Sequence, residues 1–283
     1  MRIDHRKMLA EYDQTDRIRY YPQCADLFMV GEDYKVNEIT VYTKHEADPL
    51  ADYILVKAYD DRFLLIVVHT EDENLVKECM DDADAVWGDF SEVELRTAYP
   101  SVVEMERIRG HYALETPDYP PNPVYYLYSA DQLSKRQRQE NVCVSQWKET
   151  DKAEIARAVE AGRLDGESMN ADMFVPCEVY QAVEWHILRV NGELAGYLRA
   201  ECGYANIYDI GWLYVEPRFR GKGYAVDLVL AFSRDMFSRG NIPHYGYAIS
   251  PASARVAEKC GFICDQPLPI CHRLIQGSMT PKA

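Results

Sequence analysis

The hydrophobic pattern is clearest in the C-terminal half of the chain. Apolar and aromatic residues fill Ile207–Val215 without a helical period, which predicts a β-strand that Pro217 terminates. Gly221 and Gly223 then precede a long apolar run over Tyr224–Ser238, which predicts a helix. A strand, a short loop and a helix therefore form the centre of this half.

The segments on both sides of this centre alternate in the same way. The pattern predicts strands at residues 186–190, 194–201 and 243–249 and a short helix at 251–259. Asn191-Gly192 between the first two strands is a strong hairpin signal, and Gly261-Phe262 ends the helix and leads into another strand.

The N-terminal half shows a weaker pattern. It predicts helices at 6–12 and 71–80, strands at 38–42, 53–59 and 63–69, and a short strand at 85–87. A proline-rich connector at 116–123 follows, with no regular element. After it come strand-like runs at 124–128 and 142–147, a helix at 152–161 that Thr150 or Asp151 caps, and a polar segment at 163–184. We therefore expect two α/β domains, 1–123 and 124–283.

Composition limits the class of protein. The chain has 283 residues, 47% of them hydrophobic, which is enough for packed cores. Its longest apolar runs are too short to span a membrane, and Met1-Arg2-Ile3-Asp4 does not begin a signal peptide, so a cytoplasmic location is expected. The eight cysteines lack the spacing of a zinc site, and we interpret them as reduced thiols.

The charge distribution argues against one class of partner. The net charge is −15, of which residues 1–140 carry −13 and residues 141–283 carry −2. Nucleic-acid binding requires a basic surface, so we exclude it. An acidic front half could attract a basic amine, although a solvated surface that keeps the protein soluble explains the charge equally well.

The loop after the central strand has the chemistry of an anion site. Gly221 and Gly223 allow a tight turn and close approach of a ligand, and the N-terminus of the next helix favours a negative charge. Arg218, Arg220 and Lys222 add three cations. The spacing is neither that of a P-loop nor that of a dinucleotide-binding fold, although a pyrophosphate fits the loop.

The run Arg218-Phe219-Arg220-Gly221-Lys222-Gly223 resembles the acyl-CoA loop of the GNAT N-acetyltransferase superfamily, Gln/Arg-x-x-Gly-x-Gly/Ala. The order of hairpin, strand, loop, helix, strand, helix and Gly-Phe around it is also that of the superfamily. The resemblance covers about the last 140 residues and implies a mixed, mostly antiparallel sheet flanked by helices. The domain before it is then a smaller α/β domain, and a degenerate GNAT-like repeat is one interpretation of that domain.

The resemblance also implies a function. A GNAT enzyme moves an acetyl group from acetyl-CoA, its co-substrate, directly to a primary amine of a small molecule or peptide, without a metal. By position, the residues that contact acetyl-CoA are Leu213, Tyr214, Val215, Arg218, Arg220, Gly221, Lys222, Gly223, Tyr224, Ala225 and Ser253.

The reaction needs a proton acceptor, because an alkylammonium ion has no free electron pair at neutral pH. Asp209 lies six residues before Val215 in the same strand, where histone-type members of the superfamily carry a glutamate base. Strand alternation predicts that Asp209, Gly211, Leu213 and Val215 share one face, and that Ile210, Trp212 and Tyr214 share the other. A structural role for a solvated Asp209 stays open.

The sequence departs from the family pattern at the position of the proton donor to the leaving thiolate. Aligning Gly261-Phe262 places Ala257 where the superfamily usually carries a tyrosine. Tyr245 and Tyr247 are alternative donors, or the thiolate leaves unaided. Two further hypotheses are an acyl-CoA-binding sensor or interaction protein with weak catalysis, and a transferase of longer acyl groups. The acceptor and the oligomeric state are open, a homodimer included.

Overall fold

The structure is a computed structural model, and the chain forms two compact units: the first includes residues 34–122 and 266–283, and the second includes residues 123–265. The described residues are 2–4, 36–45, 52–59, 63–84, 90–116, 124–127, 129–164, 182–202, 206–248, 250–264 and 270–276. The predicted helix at 6–12, the strand at 85–87, most of the connector and most of segment 163–184 lie outside these ranges.

The first unit contains a seven-stranded sheet in the described part of the chain. Its strands are β1 (Arg2–Asp4), β2 (Val36–Thr43), β3 (Tyr53–Tyr59), β4 (Phe63–His69), β5 (Glu92–Thr97), β6 (Tyr112–Glu115) and β14 (Ile270–Gln276). Three helices accompany them: α1 (Glu73–Asp84), α2 (Pro100–Glu104) and α3 (Glu106–Arg109).

The second unit contains another seven-stranded sheet. Its strands are β7 (Val124–Tyr126), β8 (Val142–Gln146), β9 (Ala182–Val190), β10 (Glu193–Cys202), β11 (Ile207–Val215), β12 (Ile242–Tyr247) and β13 (Ile263–Cys264). Its helices are α4 (Lys152–Glu160), α5 (Tyr224–Ser238) and α6 (Pro251–Cys260). The predicted mixed α/β fold is confirmed.

The two sheets have the same topology. Each runs through three antiparallel pairings, one parallel pairing and two more antiparallel pairings, in the orders β1-β2-β3-β4-β5-β14-β6 and β8-β9-β10-β11-β12-β7-β13. In each, a helix connects the two parallel strands, α1 in the first unit and α5 in the second. The chain therefore contains two GNAT-like halves, as the interpretation of the N-terminal domain as a repeat required.

The sixth position of each sheet is filled from elsewhere in the chain. β14, at the C-terminus, pairs with both β5 and β6 of the first unit. β7, which directly follows the first unit in sequence, pairs with β12 and β13 of the second. The strand that we expected to finish the C-terminal domain thus completes the N-terminal sheet, and the predicted domains 1–123 and 124–283 stay a prediction.

Local signals explain most of the boundaries in the second unit. Asn191 and Gly192 both have positive φ (51° and 80°), the conformation of a type I′ hairpin turn. α6 begins after Ser250, whose hydroxyl accepts a hydrogen bond from the Ser253 N–H, and ends at Gly261 with φ 99°. α4 begins where expected, but neither predicted cap bonds to it: the Asp151 carboxylate instead pairs with Arg189.

The two units have separate cores. β4 and α1 supply much of the first core, including the fully buried Ile66 and Leu75. The second core lies between the sheet and α5, and the buried Leu228, Val229 and Phe232 of that helix pack against the strands. Burial of this apolar surface holds α5 in place, and its N-terminus therefore has a fixed position at the end of β11.

Candidate functional site

A gap opens in the second sheet between its two parallel strands. β11 and β12 pair only at Ile207↔Ile242, Tyr208↔Pro243 and Asp209↔His244, although both strands continue beyond that point. Backbone groups of the second half of β11 therefore face no strand on that side. An extended ligand arm can pair with them as an added strand does.

A cavity of about 450 Å³ lies beside this gap. Its walls are the end of β11 (Leu213, Tyr214 and Val215), the loop and first turn of α5, and α6 with Ser253. This volume is within the range of small-molecule and cofactor sites. The structure thus brings the strand, the glycine loop and Ser253 together around one space.

The loop has the backbone geometry of an anion site. Gly221 and Gly223 have φ values of 76° and 85°, which residues with a side chain rarely adopt. Gly223 is also the N-cap of α5, without a side-chain cap, so the N–H groups of Tyr224 and Ala225 begin the helix at the cavity wall. These N–H groups and the helix dipole favour a phosphate.

The cations predicted from the loop do not all line the cavity. Arg220 does: its Nε donates to the Val215 carbonyl (2.7 Å) and its guanidinium lies over the Tyr214 ring. Arg218 instead pairs with Glu216 and Glu193, and Lys222 Nζ donates to the Arg218 carbonyl. Neither side chain lines the cavity, although the loop backbone runs beside it.

Two further cations come from α6. Arg255 and Lys259 are four residues apart, so they lie on one face of that helix, and both line the cavity. Together with Arg220 they make the site positive in a protein whose net charge is −15. A polyanionic ligand is attracted to such a site.

A buried ion pair under the loop was not visible in the sequence. The carboxylate of Asp227, in the first turn of α5, is buried and accepts hydrogen bonds from Arg136 Nε (3.1 Å) and Gln139 Nε2 (2.8 Å). Gln139 also donates to the Lys222 carbonyl. A Cβ on Gly223 would lie 2.7 Å from the Arg136 guanidinium, so the loop packs closely on this pair, and the φ of 85° at this position favours glycine.

Asp209 lies at the apex of the gap, in the last residue pair of β11 with β12. Its Oδ1 is 2.9 Å from Nδ1 of its partner His244, which is buried. About a quarter of the Asp209 side chain remains exposed. The structure therefore holds a partly exposed carboxylate in a fixed orientation where the two strands part.

The predicted alternation of β11 is wrong beyond Gly211. Ile210 pairs with Ala200 and Trp212 with Arg199, so Gly211 is an extra residue, a β-bulge. The bulge reverses the alternation, and Asp209 shares a face with Trp212 instead of with Leu213. Glycine inside a strand is itself a bulge signal, so the sequence contained this information.

Tyr245, the next residue of β12 after His244, contacts the cavity wall through Ser253. Its Oη lies 2.8 Å from Ser253 Oγ, and its ring is buried against Tyr125 and Phe262. Burial raises the pKa of Tyr245 to about 12, and the hydrogen bond with Ser253 only partly offsets this. The phenol therefore stays protonated. The side chain of Tyr247, the other candidate, lies outside the described residues.

A cluster of Glu184, His186 and Asp235 has donor atoms close enough for a metal ion. Arg239 already supplies the positive charge there, because its guanidinium bonds to both carboxylates at 2.6 to 2.8 Å. Burial lowers the pKa of His186 in spite of the two carboxylates, which keeps the ring neutral at neutral pH. We interpret this cluster as an ion-pair network that joins β9 to α5.

The first unit has no equivalent of this site among its described residues. β4 and β5 pair continuously from Phe63↔Glu92 to Val68↔Thr97, so no gap opens. The N-terminus of α1 is capped by Asp72, whose Oδ1 accepts the Leu75 N–H (2.9 Å). A carboxylate therefore occupies the place where the second unit has a glycine loop.

The comparisons with known proteins agree with this geometry. A sequence profile described as the Acetyltransferase (GNAT) family matches residues 147–262. No curated protein matches the chain. Among the described helices, none has the length and apolar character needed to cross a membrane.

Several solved structures are similar in fold. A GCN5-related N-acetyltransferase from Kribbella flavida is 13% identical, with a TM-score of 0.48 over 79% of this chain and 87% of that one. A C-terminal domain of a putative lysylphosphatidylglycerol synthetase from Agrobacterium fabrum is 10% identical, with a TM-score of 0.46 over 93% and 91%. A putative GNAT acetyltransferase from Novosphingobium aromaticivorans is 16% identical, with a TM-score of 0.38 over 79% and 89%.

The matched segment, 147–262, runs from the end of β8 to Gly261-Phe262 and contains the glycine loop, the gap and the cavity wall. Residues 147–262 of this chain therefore form a GNAT acetyltransferase domain, which is the domain of an acyltransferase.

Proposed function

We propose that this protein transfers an acetyl group from acetyl-CoA to a primary amine of a small molecule or peptide by direct attack. The observation that carries the proposal is the cavity beside the gap between β11 and β12, which is lined by a phosphate-sized glycine loop and by the end of β11. Asp209, a partly exposed carboxylate, lies in the same strand at the apex of the gap. A cytoplasmic location is part of the same proposal.

Acetyl-CoA would be held by groups that the cavity presents. The backbone of Leu213, Tyr214 and Val215 would pair with the pantetheine arm, and the amides from Gly221 to Ala225 would receive the pyrophosphate. Arg220 would add charge at the loop. The side chains of Arg218 and Lys222 do not line the cavity. These residues would contribute through their backbone groups and through the long-range attraction of their positive charges.

Asp209 would act as the proton acceptor. An incoming ammonium group must lose a proton before its nitrogen can attack the thioester. The exposed part of the Asp209 carboxylate lies at the apex of the gap, and His244 fixes its orientation. The carboxylate also attracts a cationic amine, and so binding and deprotonation would use the same group.

The test measures turnover. Purified protein is mixed with acetyl-CoA and a panel of polyamines, amino acids, aminoglycosides and peptides, and the released thiol is followed with a colorimetric reagent. We expect release that depends on one class of amine. Asp209→Ala should lower kcat about 10²-fold or more, the usual contribution of a general base.

Gly221→Glu tests the loop, and the chain offers a matched control. Gly221 and Gly240 have nearly equal φ (76° and 75°), and neither has an atom within 4 Å of a built Cβ. Glu at either position therefore meets the same backbone strain, but only at Gly221 does its charge face the cavity. We expect loss of acetyl-CoA binding by calorimetry in Gly221→Glu and retention in Gly240→Glu.

The outcomes of these experiments distinguish the proposal from the two alternative functions. Binding of acetyl-CoA with no amine-dependent thiol release would favour an acyl-CoA sensor over a transferase. Faster release from longer acyl-CoA esters would replace acetyl by a longer acyl group. Equal binding in the two glutamate variants would contradict the assignment of the loop.

A further inference from the structure

The cavity wall contains one hydroxyl that is connected to a buried group behind it. Ser253 Oγ lies on the wall formed by α6, and Tyr245 Oη lies 2.8 Å from it, on β12. Tyr245 is only 3% exposed and does not itself line the cavity. A ligand in the cavity can therefore contact Ser253 directly and Tyr245 only through Ser253.

The pair lies where the reaction must occur if the proposed function holds. Tyr245 is the first residue of β12 beyond the last pair with β11, Asp209↔His244. Asp209 therefore marks the apex of the gap from one strand, and the Tyr245–Ser253 pair marks it from the other strand and from α6. A thioester that reached the apex along β11 would lie between the strand that carries Asp209 and the strand that carries Tyr245, whose hydroxyl partner Ser253 lines the cavity.

Resting on the proposed function, we infer that Ser253 donates the hydrogen bond that stabilises the departing coenzyme A thiolate, and that Tyr245 orients and polarises this hydroxyl. A serine hydroxyl has one proton to donate. When Tyr245 donates its proton to Ser253 Oγ, the serine proton is directed into the cavity, and each bond strengthens the next.

The role is hydrogen bonding and not full proton transfer. Because burial raises the pKa of Tyr245 to about 12, the phenol does not give its proton up to a thiolate, whose conjugate thiol is far more acidic. After Asp209 has taken the first proton of the ammonium group, the amine nitrogen forms a bond to the acyl carbon and loses its second proton to water. The C–S bond breaks, its electron pair stays on sulfur, and the thiolate leaves with a hydrogen bond from Ser253. It takes its proton from water after release, so both side chains end the cycle unchanged.

The surrounding sequence agrees with this assignment. Ala257 stands at the position where the family resemblance predicts a tyrosine, and it is fully buried. Ser253 lies four residues earlier in α6, on the same face of that helix. Ser253, unlike Ala257, lines the cavity, and its phenol partner comes from β12.

The experiment compares four variants with the wild type: Ser253→Ala, Ser253→Thr, Tyr245→Phe and the Ser253→Ala/Tyr245→Phe double variant. We expect Ser253→Ala to lower kcat about 10- to 100-fold with little change in KM for acetyl-CoA, because the lost bond forms only in the transition state. Ser253→Thr keeps a hydroxyl and should restore most of kcat.

The energetic coupling between Ser253 and Tyr245 is the decisive result of this experiment. If Tyr245 acts only through Ser253, the double variant should be no slower than Ser253→Ala alone. Tyr125→Phe is the matched control: Tyr125 is buried beside Tyr245, its pKa is also raised to about 12 by burial and Glu258, and its hydroxyl bonds to Glu258. It should keep the kcat of the wild type.

Each alternative result overturns a distinct claim. Wild-type kcat in Ser253→Ala, or losses that multiply in the double variant, would overturn the inference while leaving the acetyltransferase intact. A rise in KM without a fall in kcat would make Ser253 a binding residue instead. No turnover in the wild type would overturn the proposed function and this inference with it.

Discussion

His244 is the residue whose role the structure reveals most directly. Its Nδ1 is 2.9 Å from Asp209 Oδ1, and its ring is buried against Tyr126. If it orients the proposed base, His244→Ala should lower kcat about tenfold or more, since misplaced catalytic groups are costly. His244→Asn places an amide N–H near the position of Nδ1 and should keep most of the activity. Steady-state kinetics on both variants decides this, and equal rates in His244→Ala and the wild type would refute it.

Sequence reasoning at this scale identifies candidates where chemistry stands out locally, and the roles of these candidates stay predictions. Asp209 was identified because a carboxylate in an apolar strand is unusual, and the glycines because positive φ and anion binding require them. His244 and Arg136 were missed, since their partners Asp209 and Asp227 are 35 and 91 residues away in sequence. No local pattern reports a contact of that separation.

At the scale of elements, the end of β11 depends on a buried carboxylate. Glu216 is 5% exposed and follows β11 directly, with Arg163 Nη2 3.0 Å from its Oε2 and Arg218 on its other oxygen. Burial pushes the pKa of Glu216 upward, but the hydrogen bonds and charges of the two arginines outweigh it, so the pKa lies below its ordinary value of 4.5. The strand end that leads into the loop is thus fixed by charge as well as by backbone.

This arrangement predicts a pH dependence of stability. A carboxyl whose folded-state pKa is lowered stabilises the fold above its unfolded-state pKa, and this contribution is lost as pH falls below about 4.5 and through the folded-state value. Glu216→Gln should cost about 1 to 2 kcal/mol at pH 7, because it removes the charge of a buried carboxylate whose two arginine partners are partly exposed and therefore screened by solvent. The difference between the two proteins should shrink toward pH 3 in urea unfolding. A pH-independent difference would show that the charge of Glu216 is not what stabilises the strand.

The elements themselves were largely predictable. β3, β4, β11 and α5 have the predicted limits, because alternation, a break at proline and paired glycines are all local signals. The face that Asp209 occupies was not, because one bulge residue reverses a period of two. Counting positions along a strand is reliable only until an irregularity intervenes.

At the scale of the whole molecule, one sheet topology appears twice among the described residues, but the site appears only once. Both sheets share one order of pairings, yet only the second opens between its parallel strands and has an uncapped glycine at the following helix. In the first unit, β4 and β5 pair continuously, so no gap forms between them, and the Asp72 carboxylate caps the helix that follows. The common sequence pattern of hairpin, helix and strand indicated the repeat, and the absence of a second glycine loop indicated a single site. The exchange of β7 and β14 could not be predicted, since strand order within a sheet is a long-range property.

The position of β14 in the first sheet can be tested with two neighbouring residues of that strand. Leu274 is buried in the core of the first unit, whereas the adjacent Ile275 is 40% exposed. Leu274→Ala should lower the free energy of unfolding by about 2 to 5 kcal/mol, as core truncations do, and Ile275→Ala by about 0.5 kcal/mol or less.

Hydrogen exchange then locates the effect of Leu274→Ala. Because β14 pairs with β5 and β6, amide protection should fall first in Glu92–Thr97 and Tyr112–Glu115, although residue 274 follows the acyltransferase domain in sequence. The amides of β11 and α5 should keep their protection, and acetyl-CoA binding should persist under conditions in which the first unit is loosened. Early loss of protection in β11 or α5 instead would mean that β14 supports the acyltransferase sheet, and the exchange of strands between the two halves would be refuted.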